Sequence, residues 1–477
     1  MILIFAGPNL PALASSVTAQ QGLSNSPSMI WTLPFILLLL LVALLPQIPK
    51  LTHWWERNRN RLMISSLLAF VTVAYYLFRG YGFHGSAPGL PAATSLLQHA
   101  ILKDYFPFIV LLFSLFTISG GIRLSGDIPA HPVTNTLFLL VGAVLANFIG
   151  TTGASMLLIR PLLQINSERR HVKHTVIFFI FLVSNIGGCL LPIGDPPLFL
   201  GYLRGVPFLW TLALFPQWIT CVLILIALYW AIDHFAWRRE TKGNILLEES
   251  VREPIRLAGN LNFLLLAILV LAVALLVPGQ KLPGTELIVP DLYLREWIQL
   301  ALTGLSLWIT PRSIRAANRF NFHAINEIAC IFIGIFVTVQ VPIEILKING
   351  AHLGLDTPLK YFWATGLFSS ILDNAPTYIV FFETAGTLSS SGPMLGGLQT
   401  TSGMVSIPIL AAISCGAVFM GAMTYIGNGP NFMVKSLAEQ AGVKMPGFAG
   451  YVGYSLIILL PVFALISWIF FVDYRPF

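Results

Sequence analysis

The chain is poor in charge, because Asp, Glu, Lys and Arg together make up only 10% of its 477 residues. Soluble domains carry about 25% charged residues, so a chain of this length cannot cover itself with a solvated surface. This deficit excludes a cytosolic enzyme, a secreted disulfide scaffold and a disordered chain. The 56% hydrophobic content and the mean hydropathy of +0.80 are instead typical of an all-α polytopic membrane protein.

The sequence also lacks the motifs of metal and nucleotide chemistry. Its four cysteines lie far apart in apolar stretches and form no CxxC pair. No HExxH motif and no phosphate-binding loop are present, so we expect no cofactor and no enzymatic activity. The histidines of the polar stretches are expected in loops without metal-ligand spacing: His131, His171, His174 and His323.

Long apolar stretches are abundant, and about 20 apolar residues suffice for a helix to span the bilayer core. Ten spanning helices are predicted, at 29–48, 62–79, 105–122, 175–203, 208–233, 260–277, 296–310, 324–345, 405–433 and 451–471. The predicted location is the plasma (inner) membrane, with the lipid bilayer as the surrounding solvent.

Basic residues indicate the orientation of these helices. If the chain starts outside and crosses ten times, all the basic clusters fall on one side: Lys50–Arg61, Arg169–Lys173, Arg238–Arg256, Arg312–Arg319 and Lys435–Lys444. Cytoplasmic loops carry an excess of Lys and Arg, so we expect this side to be cytoplasmic and both termini to be extracytoplasmic. The net charge of +7 is then a topology signal, and no nucleic-acid partner is expected.

Two apolar stretches, 133–163 and 360–385, must leave and return on the same side, and we predict that they are re-entrant helical hairpins. Two spans are interrupted, at Pro192–Pro197 and at Gly427–Asn431, and we predict that they are broken helices.

Each half of the chain thus holds three spans, a hairpin, a broken span and a final span. The halves start from opposite faces, which predicts two inverted repeats, an architecture typical of secondary transporters. The predicted domains are an extracytoplasmic tail (1–28), a first repeat (29–237), a cytoplasmic linker (238–259) and a second repeat (260–477).

Polar side chains of the hairpin tips and the helix breaks are expected to converge at the middle of the membrane. Asp195 and Asp373 would supply negative charge, and an intramembrane carboxylate costs at least about 2.5–3.5 kcal/mol, which favours a functional role. Oxygen ligands beside them would bind Na⁺ in the Asp195 and Asp373 region. The further predicted ligands are Asn374, Thr377, Asn185, Ser184, Asn147, Thr151, Thr152, Asn428 and Asn431.

Structural explanations compete with these roles. Asp-Pro-Pro is a common polar turn, and small hydroxyl residues such as Ser155 also pack helices together. Glu327 is either a proton carrier or a carboxylate that caps the start of a helix. Arg160 and Glu383 occupy matching positions on the second arms of the hairpins and are either gates or interfacial anchors.

Three motifs carry a resemblance to a known family: Ser184–Pro197 with its PIGDPP core, Ser369–Thr377, and Gly416–Asn431. Through them, residues 105–471 resemble the NhaD-type sodium/proton antiporters and the related citrate transporters of the ion transporter superfamily. The resemblance implies inverted repeats, re-entrant hairpins, broken helices and a homodimer. Antiporters of this type carry an Asp-Asn pair at the first hairpin tip, where this chain has Gly150-Thr151, and the aspartate of the second break is here Asn428.

The leading hypothesis is therefore a secondary active transporter that exchanges Na⁺ or Li⁺ for H⁺ by alternating access. Two aspartates can bind a proton or Na⁺ in competition, which is what exchange requires. The alternative is a Na⁺- or H⁺-coupled citrate or dicarboxylate transporter, favoured by the uncharged first tip. Against it stands the rarity of intramembrane cations, with Arg160 the only candidate. An intramembrane aspartyl protease is disfavoured because Pro192 stands where its GxGD motif requires glycine.

Overall fold

In the computed structural model, residues 27–250, 253–282, 284–290, 293–388 and 397–472 are described. Most of the predicted extracytoplasmic tail, residues 1–26, lies outside the described residues. Helices dominate the described chain, which confirms the predicted all-α class. The exceptions are two short two-stranded antiparallel sheets.

The first half of the chain runs through three spans, a hairpin, an interrupted span and a final span. Its elements are α1 (Leu33–Leu44), α2 (Pro49–Trp55), α3 (Asn58–Phe78), α4 (Leu90–Leu97), a π-helical stretch (Gln98–Tyr105), α5 (Phe106–Ser119), β1 (Arg123–Asp127), α6 (Pro132–Ile149), α7 (Thr151–Ile165), α8 (Lys173–Leu182), α9 (Pro196–Leu203) and α10 (Phe215–Trp237). Short 3₁₀ segments precede α1 (Met29–Thr32), follow it (Leu45–Gln47), separate α8 from α9 (Ile186–Cys189) and lead into α10 (Phe208–Leu214).

The second half repeats this order after a short connection, α11 (Lys242–Ser250) and β2 (Glu253–Ala258). Its elements are α12 (Leu261–Leu275), α13 (Leu294–Ile309), α14 (Arg312–Ala317), α15 (His323–Thr338), α16 (Gln340–Asn349), α17 (Pro358–Ile371), α18 (Asn374–Leu388), β3 (Gly397–Thr400), β4 (Gly403–Ser406), α19 (Ile407–Met420), α20 (Gly429–Gln440) and α21 (Phe448–Ser467). A 3₁₀ turn (Gly350–Leu353) follows α16, another (Gly421–Met423) follows α19, and a π-helical turn (Trp468–Val472) extends α21.

Six continuous helical stretches of the described chain are long and apolar enough to cross a membrane: Asn58–Phe78, Leu90–Ser119, Pro132–Ile149, Phe208–Trp237, His323–Asn349 and Phe448–Val472. Shorter apolar helices coincide with four further predicted spans, at Met29–Leu44, Lys173–Cys189, Leu261–Leu275 and Ile407–Met423. The predicted span 296–310 corresponds to α13 (Leu294–Ile309), which belongs to neither set. The protein is therefore a multi-pass membrane protein. Pro132–Ile149 is longer than the short hairpin arm expected from the sequence, because its helix continues almost to the turn.

Both predicted hairpins have the expected helix–turn–helix form. In the first, α6 and α7 pack against each other and are joined by Gly150 alone. Gly150 has φ 76° and ψ 152°, a conformation that side chains with a Cβ rarely adopt, so glycine permits this one-residue reversal. In the second, α17 and α18 also pack together and are joined by Leu372 and Asp373.

Both interrupted spans break where glycine and proline accumulate. After α8, the backbone of Asn185 leaves the helical region at φ −140° and ψ −84°, and a helix resumes at Pro196. Proline at the first helical position needs no N–H partner, so Pro196 is a suitable helix start. The break between α19 and α20 ends in the same way, with Asn428 preceding the new helix as Asp195 does in the first half.

The helices form two groups. The frame helices are α1, α3, α5, α12, α13 and α15, in which α3 packs on α15 and, in the matching position of the other half, α5 packs on α13. The core helices comprise α6–α10 and α17–α21, in which α9 packs on α18 and, correspondingly, α7 packs on α20. These reciprocal pairs are what two related repeats would produce, and we propose the repeat boundaries 29–237 and 260–477.

The expectation that the histidines lie in loops needs correction for two of them. His174 is on α8, where its Nε2 is 2.7 Å from Asp233 Oδ1 of α10, and His323 is the first residue of α15. The predicted linker 238–259 contains β2, which pairs antiparallel with β1 and ties the linker to the segment before the first hairpin. Both features depend on contacts between distant segments, which local sequence patterns do not report.

Candidate functional site

Asp195 lies at the centre of the core helices and is 1% exposed. Its Oδ1 accepts hydrogen bonds from the Thr151 hydroxyl (2.8 Å) and from Nδ2 of Asn428 (3.1 Å). Its Oδ2 accepts a third from Nδ2 of Asn374 (2.6 Å). Asp195 lies in the first break, and its carboxylate therefore connects that break to both hairpin tips and to the second break. We call Asp195, Thr151, Asn374 and Asn428 the central cluster.

A second layer of amides joins the two breaks directly. Asn185 donates from Nδ2 to Asn431 Oδ1 (2.7 Å), and Asn428 donates to the Ser184 carbonyl oxygen (3.1 Å). Asn431 in turn donates to the carbonyl oxygens of Gly421 (2.8 Å) and Thr424 (2.9 Å), which have lost helical partners. The predicted residues Ser184, Asn185 and Asn431 are thus beside the cluster, where Asn431 stabilises the broken backbone.

Two further predicted residues support the first break. The backbone N–H of Leu190 donates to Asn147 Oδ1 (2.7 Å), so Asn147 satisfies a donor that the interruption leaves free. Ser155 on α7 is 2.8 Å from Ser184, oxygen to oxygen. The side chains of Asn147 and Ser155 are buried, and both hold the first hairpin against the first break.

Eight helix ends meet around the cluster. The helices α7, α9, α18 and α20 begin there, at or next to the four cluster residues, while α6, α8, α17 and α19 end there. Each helix end is equivalent to about half a charge, so roughly two positive and two negative charges cancel. With both Asp195 and Asp373 ionised, the region is left with about two negative charges. This arrangement attracts cations, and it admits an anion only together with them.

Side-chain oxygens without a protein hydrogen bond lie next to the cluster. Among the described residues, Asn185 Oδ1 and Asn374 Oδ1 are buried and have no donor. A Cβ placed on Gly421 would lie 3.1 Å from Asn185 Oδ1, 3.2 Å from the Gly427 carbonyl oxygen and 3.6 Å from Asn374 Nδ2. The space beside Gly421 is therefore bordered by two oxygens and one amide nitrogen, and oxygens are the ligands that a dehydrated Na⁺ requires.

Three predicted residues do not join the central cluster. Asp373 accepts the N–H of Ala375 (3.1 Å) and caps its own hairpin arm, although its charge is close enough to act on Asp195. Thr377 donates to the Asp373 carbonyl oxygen within the same turn (3.0 Å). Thr152 instead borders a separate small cavity.

This small cavity separates the first hairpin tip from the frame helices. Its volume is about 30 Å³, and it is bordered by Thr151, Thr152 and Gly194 on one side and by Leu115 of α5 and Ile328 of α15 on the other. A volume of this size holds one or two water molecules. A molecule larger than a few water molecules cannot enter this cavity unless the hairpin tip and the frame helices move apart.

The charged candidates away from the cluster make other contacts. Glu327 forms an ion pair with Arg61 of α3 (2.8 Å), both within the frame helices. Its role as a proton carrier or as a helix cap stays a prediction. Arg160 of α7 donates to the carbonyl oxygen of Asn318 (2.6 Å), just past α14. Arg160 therefore links the first hairpin to the frame at one end of the molecule.

Glu383 belongs to a buried network of ion pairs and hydrogen bonds that no sequence motif indicates. Its Oε1 accepts from Arg204 Nε (3.1 Å), and Arg204 Nη2 is 3.6 Å from Asp104 Oδ2 on the π-helical stretch. Gln340 donates to the same Asp104 oxygen (3.3 Å), and Lys347 lies 3.9 Å from Glu383. This Arg204 network connects α9 and α18 of the core to the frame at the end opposite Arg160. Arg204 follows α9 directly, between the predicted spans 175–203 and 208–233, and is only 5% exposed.

Helical hairpins and broken helices that meet at a buried carboxylate define a secondary transporter. The chain belongs to the family described as "Putative citrate transport", whose model matches residues 24–471. Membership in this family makes the protein a citrate-type transporter by class and supports the family level of the resemblance seen in the motifs. No curated protein matches the chain.

The Arg204 network generates the first prediction. Arg204→Met leaves Asp104 and Glu383 buried without their cation, which should destabilise the protein by about 3–5 kcal/mol, measured as a lower melting temperature in detergent. Adding Asp104→Asn and Glu383→Gln should restore most of the loss. As a control, Lys360→Met breaks an exposed ion pair with Asp356 and should cost less than about 1 kcal/mol. Equal effects of the two methionine variants would contradict the prediction.

Proposed function

We propose that this protein is a secondary active transporter that moves a citrate-class carboxylate together with Na⁺ or H⁺ by alternating access. The observation that carries the proposal is the buried carboxylate of Asp195, held by both hairpin tips and by the opposite break. The two hairpin tips and the two breaks meet at Asp195. A cation bound beside Asp195 therefore changes the charge at a point that all four segments share. Binding of the cation and rearrangement of the hairpins are therefore coupled.

The balance of charge supports coupled transport of an anion with cations. With both aspartates ionised, the cluster region would carry about two negative charges, so a free di- or tricarboxylate would be repelled. Na⁺ at the oxygens of Asn185, Asn374 and Gly427 would offset that charge. The N–H groups and positive ends of α7 and α20 could then hold a substrate carboxylate. The description of the family indicates that the anion is of the citrate class.

Sodium/proton exchange stays as a second candidate. Its support is the same net negative charge, because Asp195 can bind a proton or Na⁺ in turn without any anion. It now ranks below carboxylate transport, since Asp373 faces its own hairpin arm and the family carries the name of a citrate transporter. The homodimer, the plasma (inner) membrane location, the extracytoplasmic termini and the cytoplasmic face at the Arg160 end remain proposals.

Uptake in proteoliposomes tests the proposed function. Labelled citrate should accumulate when a Na⁺ or proton gradient is directed inward and should not accumulate without a gradient. Asp195→Asn removes the charge at nearly constant volume and should abolish the gradient dependence, while Asp127→Asn on β1, a buried carboxylate outside the cluster, should transport normally. Proton release on Na⁺ addition with no citrate uptake would replace the proposal with sodium/proton exchange.

The space beside Gly421 generates a separate prediction about the cation. Gly421→Ala adds a methyl group among the oxygens of Asn185 and Gly427, so the half-saturating Na⁺ concentration should rise by at least about tenfold, equivalent to about 1.4 kcal/mol. Gly453→Ala on α21 is the matched control, because a Cβ there enters open space and should leave Na⁺ dependence unchanged. An unchanged Na⁺ requirement in Gly421→Ala would remove these oxygens from the site.

A further inference from the structure

Three basic loops, far apart in the sequence, border one large cavity at the Arg160 end of the molecule. The cavity has a volume of about 720 Å³. Its walls come from α7 and the loop after it, from the residues that follow α14, and from the end of α20 with the loop beyond it. We call this space the basic vestibule.

The charged residues that border the vestibule are all of one sign. Six cationic residues border it and no carboxylate does: Arg160, Arg169, Arg170, Lys173, Arg319 and Lys444. Arg169 is neutralised by its ion pair with Asp233 (2.5 Å), but the other five form no ion pair within the described parts of the chain. Arg160 and Arg319 are close enough for their charges to repel. A polyanion in this space would relieve that repulsion.

The two acidic residues of the same segments do not border the vestibule. Glu168 accepts a hydrogen bond from Ser167, and Glu439 on α20 pairs with Lys435 (3.3 Å). The positive-inside rule requires Lys and Arg on cytoplasmic loops, and it is satisfied wherever on those loops they lie. It does not require that cations of three loops border one cavity that no carboxylate borders. The arrangement is therefore better explained by an anionic ligand.

The vestibule is connected to the central cluster by two packed helices. One wall helix, α7, begins at Thr151, and the other, α20, begins just after Asn428, so both run from the cluster to the vestibule. With a rise of 1.5 Å per residue, the 15 residues of α7 place the vestibule roughly 20 Å from the cluster. An anion leaving the cluster along α7 and α20 would arrive at these cations.

We propose that the basic vestibule is a binding site for multivalent carboxylates of the citrate class, at which the anion is held at the cytoplasmic end of its path. The identity of the anion rests on the proposed function; the presence of an anion site rests on the vestibule alone. Several cations around one cavity raise the local concentration of a polyanion, and this effect weakens as salt increases.

Direct binding of citrate to the detergent-purified protein at low ionic strength, followed by calorimetry, tests the site. Arg319→Gln with Lys444→Gln should weaken citrate binding at least about tenfold and flatten its salt dependence. The control is Arg239→Gln with Arg312→Gln, which removes the same charge from two exposed positions outside the vestibule and should bind as the unmodified protein does. Both members of each pair are surface residues, so size-exclusion profiles should be unchanged.

The outcomes separate this site from the transport function. Equal citrate affinity in the two double variants, or no citrate binding at all, overturns the vestibule even if citrate transport is found. Vestibule-dependent citrate binding without citrate transport supports the vestibule and overturns the proposed function. Titration with short-chain phosphatidylglycerol distinguishes a lipid headgroup from a free anion: if that lipid binds in a vestibule-dependent way and citrate does not, the site is a lipid site and the proposal fails.

Discussion

The buried carboxylate of Asp195 is the constraint on which the rest of the core depends. An ionised carboxylate in a low-dielectric interior is costly unless donors surround it, and three side chains from three other segments supply them. Thr151 and Asn374 can reach it only because both hairpins turn back at mid-depth, and Asn428 only because the second span is broken. Hairpins, breaks and carboxylate therefore form a single arrangement, in which a change of charge affects every member.

The two ends of the core differ in a way that suits alternating access. At one end, Arg204 and its carboxylate partners form a buried contact between core and frame, which strand residue Thr400 and its neighbours cover: the N–H of Thr401 donates to the Arg204 carbonyl oxygen (2.9 Å). At the other end lies the wide basic vestibule, where Arg160 is hydrogen-bonded to the residue after α14. The Arg204 end is thus tightly packed, whereas the Arg160 end contains a large cavity.

Much of this architecture could be predicted from the sequence, because interruptions of apolar helices are local signals. Glycine at 150, the prolines after Asp195 and the Gly427–Asn431 stretch each stop a helix whatever surrounds it, so the hairpins and breaks were found at the right places. Convergence of Thr151, Asn374 and Asn428 on Asp195 followed from the repeat order. By contrast, nothing local distinguishes Arg204 from a loop arginine, and the direction of the Asp373 side chain is set by its own helix start. The six basic residues around the vestibule come from three separate segments, and only the tertiary fold brings them to one cavity.

The most direct test of the account is the mutual dependence of Na⁺ and citrate binding. A region with about two negative charges should bind citrate weakly without Na⁺ and bind it more tightly as Na⁺ is added. By linkage, citrate should raise the affinity for Na⁺ by the same factor. Radiolabelled Na⁺ binding to the purified protein with and without citrate measures that factor, and the account predicts a gain of about tenfold or more. Na⁺ affinity that does not respond to citrate would contradict coupled carboxylate transport at Asp195.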